Sequence, residues 1–223
     1  MLLANKKVSE KMRKSKERFV YRVHDQPDQE KLKNLQTVVK RLGYNLKLSS
    51  NELNDSLNSL LKKAFGKNEQ NLIDTLMIRC MSKAEYTTKN IGHYGLSFEN
   101  YTHFTSPIRR YPDVMVHRLI QAEIDGEKIK TDETETLCKH STHMEILATK
   151  AERDSVKLMQ IKFMKDKEGK TFDAVISGVV ARGVFVEVIE NKCEGIVKAK
   201  DLPGDFYVHD EIIQRFVGEK TGT

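Results

Sequence analysis

The stretch QIKFMKDKEGKTFDAVISGVVARGVFVEVI, residues 160–189, contains the change of period that decides the fold class. Up to Lys167 the apolar residues recur at helical spacing. From Thr171 to Val180 and from Gly183 to Ile189 they alternate in twos and are rich in Val and Ile, with Ala181 and Arg182 between the runs. Cys193 to Val197 adds a third strand, and a hairpin follows it. A domain boundary is therefore predicted near residues 167–170, dividing a mostly helical region, 1–168, from a β region, 169–223. The class is α+β.

Working back from that boundary, one long helix is expected from Thr131 to about Lys167, with Leu137, Met144, Leu147, Ala151, Leu158 and Ile161 on its apolar seam. Its start is marked by Thr131, Asp132, Glu133 and Glu135. This acidic group complements the positive end of the helix dipole, which explains it without a metal. Further back, Asp28 to Leu42 places Leu32, Leu35, Val38, Val39 and Leu42 at helical spacing before Gly43. Residues 50–63 and 71–83 give two more helices, the second with Leu72, Leu76, Met77 and Cys80 on one face. Phe19 to His24 reads as a short strand that stops at the turn Asp25 to Asp28.

The 223 residues and 39% hydrophobic content are enough to fill an ordinary core. No stretch reaches the roughly 20 apolar residues of a membrane helix. The N-terminus mixes Leu2, Leu3 and Val8 with Lys6, Lys7, Lys11, Arg13 and Lys14, which makes a basic amphipathic helix rather than a signal peptide. Cys80, Cys138 and Cys193 are odd in number and widely spaced, as expected of reduced thiols in the cytoplasm. A net charge of +6 suggests a polyanionic partner but does not identify one.

Where the charges sit is more informative. In HYGLSFENYTHFTSPIRRYPDVMVHRLI, residues 93–120, Ser106 before Pro107 signals a helix start, and Arg109 and Arg110 fall in its first turn. Two guanidinium groups and the dipole would converge there on a phosphate. Pro112 has no N–H to give Ile108, so a short turn at 106–110 and a restart are expected. The same residues also admit a structural reading. Ser106 would only cap, Arg109 and Arg110 would form salt bridges, Asp113 and His117 would hydrogen-bond at i, i+4, and His93 and His103 would be ordinary polar residues. Spacing alone favours that reading.

The run 93–120 resembles the signature of the ribonuclease II and ribonuclease R family, near the C-terminal end of its catalytic RNB domain. The resemblance extends to MLLANKKVSE at the start, FVYRVHDQPDQEKL, and AERDSVKLMQIKFMKDKEG at 151–169. It continues into TFDAVISGVVARGVFVEVIENKCEGIVKAKDLPGDFY, which is similar to the start of an S1 RNA-binding domain, and the ribonuclease R branch fits better. The resemblance implies a C-terminal portion of an RNB domain followed by a truncated oligonucleotide-binding barrel, with two of five strands missing. An open sheet edge there would favour self-association.

The resemblance further implies 3′→5′ exoribonucleolytic degradation of single-stranded RNA to nucleoside 5′-monophosphates. Magnesium would be held by aspartates that lie upstream in the family and have no counterpart here; Asp25 and Asp28 are accounted for by their turn. No metal ligand is expected in this chain. The family's phosphate-contacting arginine falls on Arg109 and the glutamate of its Ala-Glu-Arg-Asp motif on Glu152, as catalytic candidates. Ser106, Arg110, His93 and Tyr94 are RNA-binding candidates beside them. In the β region Phe172, Phe185, Lys198 and Lys200 have the aromatic and basic character that stacks bases and tracks phosphates, although either phenylalanine could instead fill the barrel core. The isolated chain is expected to bind RNA and not to cut it. A non-catalytic RNA-binding adaptor is the alternative. Neither a membrane nor an obligate protein partner is implied.

Overall fold

The computed structural model describes residues 1–15, 18–49, 52–67, 69–127, 133–210 and 215–222. The chain forms two compact units, Met1–Pro27 with Met81–Arg153, and Asp28–Cys80 with Asp154–Thr223. The change from helix to strand falls between Lys165 and Ala174.

The first unit contains α1 (Leu2–Lys14), β1 (Tyr21–Val23), β2 (Glu85–Thr87), α5 (Tyr111–Asp125) and the N-terminal part of α6 (Thr134–Lys165). β1 and β2 are antiparallel with Arg22 opposite Tyr86. Met12, Phe19, Val20, Tyr21, Val23, Tyr86, Met115, Val116 and Cys138 form its core. The extended segment 101–104 is tied into that core by polar groups. Tyr101 O accepts from the Arg22 N–H at 2.9 Å, and the Thr102 hydroxyl donates to Val20 O at 2.7 Å. Asn5 donates to the Tyr101 hydroxyl and accepts from the Phe104 N–H. These bonds satisfy a strand-like segment that has no ladder of its own.

The second unit contains α2 (Gln29–Arg41), α3 (Leu53–Ala64), α4 (Gln70–Cys80), the rest of α6, and five strands. Asp28 caps α2, its carboxylate accepting from the N–H groups of Glu30 and Lys31. Leu32, Leu35, Val38 and Val39 are buried as their spacing predicts, but Leu42 lies past the last turn and is exposed. The buried face of α4 is Ile73, Met77 and Cys80, one residue round from the face read in the sequence, which leaves Leu72 and Leu76 half-buried. Ser50 and Asn51, read as the start of α3, and Thr131 and Asp132, read as the start of α6, lie outside the described residues.

A larger correction concerns α6. Its buried residues are Thr134 and Cys138, whereas Met144, Leu147, Leu158 and Ile161 of the expected seam are exposed. Helical periodicity identifies an apolar face but does not supply what covers it.

β3 (Ala174–Val180), β4 (Gly183–Val188) and β5 (Glu194–Lys198) make an antiparallel sheet in that order, with a register shift between Ile176 and Gly178. β6 (Tyr207–Asp210) and β7 (Arg215–Gly218) form a separate hairpin. Three strands and a hairpin were legible in the sequence; among the described residues they do not close into a barrel. At the β3–β4 corner the backbone of Gly183 packs against β5. A Cβ there would collide with the Val197 carbonyl oxygen and lie 2.9 Å from Lys198 Cα. Gly183→Ala is therefore expected to cost about 1–3 kcal/mol through forced displacement of β5, measurable as a lower urea midpoint at unchanged slope.

Candidate functional site

The site is built from a turn, a strand and a helix, all within the first unit. Pro107, Ile108 and Arg109 form a turn in which Ser106 O accepts from the N–H groups of Arg109 and Arg110. The helix α5 then restarts at Tyr111, with Arg110 as N-cap in extended conformation and Pro112 in the first turn. The restart agrees with the expectation from Pro112, but the cap does not. Ser106 contributes its backbone, and the side chain that organises the turn is Asp113.

Asp113 is wholly buried. One carboxylate oxygen accepts from the Ser106 N–H and from Arg110 Nη2, both at 2.8 Å, and the other lies 2.8 Å from Arg110 Nε. The expected Asp113–His117 bond is not made; the carboxylate turns to Arg110 and the turn amide. His117 Nε2 instead lies 2.8 Å from Phe104 O, and its ring stacks on Phe104 with centroids 4.3 Å apart.

Arg110 is thus held in place, while Arg109 is exposed and its side chain has no hydrogen-bond or ion-pair partner among the described residues. Arg109, Arg110, Tyr111 and Pro112 line a cleft of about 660 Å³. Tyr86 of β2 also lines it. Its other wall is a stripe of α6 that includes His140, Met144, Glu145 and Glu152. The structure brings the two catalytic candidates, Arg109 and Glu152, and the RNA-binding candidate Arg110 to one cleft. Ser106 stands at the base of the turn.

His93 and Tyr94 do not line the cleft; they belong to the loop and 3₁₀ turn at 93–96. There His24 accepts from the Gly95 N–H at Nδ1, which makes Nε2 the donor to Ser82 O. His93 packs against His24 and Tyr101, with centroids 5.2 and 5.3 Å away. Phe172 and Phe185 are half-buried and Lys198 and Lys200 exposed, all in the second unit. Phe185 pairs across the sheet with Ile196, which is exposed, and with Gly178.

Sequence reasoning missed Tyr86, Glu145 and Arg22. Arg22 gives a two-pronged ion pair to Glu145, at 2.6 and 3.1 Å, and its guanidinium lies 4.5 Å from the centre of the Tyr86 ring. Glu145 precedes Glu152 by seven residues, two turns on one helix face, and that spacing could have drawn attention to it. The Tyr86 hydroxyl and His103 Nδ1 are 2.8 Å apart. Burial, and secondarily the positive charge of Arg110 and Arg22, bring His103 down to about 4, and burial with His24 and then Arg22 does the same to His93. Burial pushes the Tyr86 phenol up to about 12, so Tyr86 donates and neutral His103 accepts.

No group of three or more His, Cys, Asp or Glu able to hold a metal occurs among the described residues. Of the acidic residues at the start of α6, Glu135 accepts from the hydroxyls of Thr87 and Thr88 and from the Thr88 N–H.

Comparison with known proteins bears on the chain as a whole. The RNB domain family matches residues 1–126. Ribonuclease R of Aquifex aeolicus is 39% identical over 226 residues, covering all of this chain and 32% of that protein. Ribonuclease R of Mycoplasma genitalium, solved with ribose-methylated single-stranded RNA, superimposes with a TM-score of 0.89 at 27% identity, over all of this chain and 36% of that one. The same protein solved with double-stranded RNA gives 0.79 over 97% of this chain and 40% of that one. The chain spans about a third of the length of the curated relatives it matches.

The buried imidazoles make stability depend on pH. Between the unfolded value of 6.5 and the folded value of about 4, the unfolded chain binds protons that folded His103 and His93 refuse. Stability therefore falls as pH is lowered through that window and levels off below it. Urea midpoints measured from pH 7 to 5 are expected to fall less steeply in His103→Gln than in the parent chain.

Proposed function

Because the chain belongs to the RNB domain family, we propose that it forms part of a 3′→5′ exoribonuclease of the ribonuclease R type, acting on single-stranded RNA in the cytoplasm. The observation that carries this reading is the cleft in which a free arginine, a fixed arginine and a glutamate without a described partner meet. Arg109 grips a phosphate oxygen and stabilises the negative charge that grows on it during hydrolysis. Arg110, its charge balanced by Asp113, holds the turn that presents Arg109 and lines the cleft beside it. Glu152 accepts from a ribose hydroxyl or an ordered water. No step is assigned to magnesium, because the cleft carboxylates do not form a ligand group: Glu145 is paired with Arg22. By itself the chain binds RNA without hydrolysing it.

The β region is an S1-type module in this reading. Phe185, with Phe172, stacks bases, and Lys198 and Lys200 track phosphates. Among the described residues no helix is long and apolar enough to cross a membrane.

With a fluorescent single-stranded oligonucleotide, Arg109→Ala is expected to weaken binding about tenfold and to lower the salt slope by about one. Incubation of the chain with RNA and magnesium is expected to release no mononucleotide; release that Arg109→Ala abolishes would overturn the inactivity. Binding indifferent to both salt and Arg109→Ala would overturn the reading as a whole.

A further inference from the structure

The two carboxylates of the cleft wall are not equivalent. Glu152 has no described partner, whereas Glu145 gives both oxygens to Arg22. Arg22 does not itself line the cleft; its side chain is 12% exposed against 41% for Glu145. Its place is fixed from several sides. The Arg22 N–H is bonded to Tyr101 O, its β-pairing sets it opposite Tyr86, and its guanidinium lies over that ring. On the helix side, the Tyr86 N–H donates to the Thr142 hydroxyl at 2.9 Å, which holds β2 against the turn of α6 that carries Glu145.

This arrangement matters to a site meant for a polyanion. Glu145 lines the same cleft as Arg109 and Arg110. An unpaired carboxylate there would repel phosphates and compete with them for Arg109, since charges lining one cleft are less screened by salt than charges far apart on the surface. We propose that Arg22 is a positioning residue that occupies Glu145, so that of the two carboxylates lining this wall Arg109 and the nucleic acid face only Glu152 without a described partner. Glu145 in turn anchors α6 in the register that presents Glu152 two turns further on. The inference rests on the RNA-binding reading above.

The test compares binding of a fluorescent single-stranded oligonucleotide at low salt by the full chain and by Arg22→Met, Arg22→Lys, Glu145→Gln, and the double variant Arg22→Met with Glu145→Gln. Thermal unfolding of each variant reports packing separately. Arg22→Met is expected to weaken binding roughly three- to tenfold, as for loss of electrostatic complementarity near a charged site. Arg22→Lys, which keeps the charge, retains most of the affinity, and the double variant returns to within about twofold of the parent chain. A packing role, or direct contact of Arg22 with RNA, leaves the double variant as weak as the single one, and that result overturns the proposal. Unchanged binding by Arg22→Met overturns it too; if Arg109→Ala still weakens binding in that case, the RNA reading stands alone. Binding indifferent to both salt and Arg109→Ala removes the reading and the inference together.

Discussion

The site depends on one buried carboxylate. Asp113 has no exposure, and its two oxygens take a backbone N–H and two guanidinium nitrogens from residues three and seven positions earlier. A carboxylate taken out of water is tolerable only when its charge is answered, here by the Arg110 guanidinium, and removing one partner of such a pair typically costs about 3–5 kcal/mol. The consequence here is geometric. The Ser106 amide and the Arg110 side chain are both pinned to Asp113, so the residues between them form a closed turn whose tip carries Ile108, fully exposed, and Arg109. Proline at 112 adds a restriction of its own, since it cannot extend the turn backwards as a helix.

This explains which parts of the site could be read from the sequence. The restart at Tyr111 was legible because it follows from a covalent property of Pro112. The role given to Ser106 was not, because capping preference ranks side chains without knowing that a carboxylate seven residues on would fold back to the same amide. Asp113 and His117 illustrate the same limit: spacing brings both to one face, but Arg110, at three residues, offers Asp113 a charged two-pronged partner and outcompetes an imidazole. Arg22 and Tyr86 were illegible for a different reason. They are 64 residues apart and meet through strand pairing, which no local pattern announces.

At the level of elements the same division holds. The face of α2 and the strands β3 to β5 were readable because burial on one face imposes its period directly on the residues. The seam of α6 was readable as a pattern but not as a contact. An apolar stripe does not say what it meets, and among the described residues Met144 and Leu147 are exposed. The α4 face was displaced by one residue because apolar side chains stand on two adjacent sides of that helix, and only packing against α2 and α3 selects Ile73 over Leu72.

Below the cleft the electrostatics are arranged around neutrality. His103 and Tyr86 share a hydrogen bond in which neither is charged, and the cationic neighbours Arg22 and Arg110 help keep the imidazole so. The charged groups are then sorted by task. Arg22 is committed to Glu145 and Arg110 to Asp113, each through two nitrogens, while Arg109 is committed to nothing described. An arginine already paired with a carboxylate would have to break that pair before accepting a phosphate, and the gain on binding would be only the difference between two similar interactions. Leaving Arg109 unpaired, on a turn pinned at Ser106 and Arg110, keeps the whole of its charge for the incoming anion.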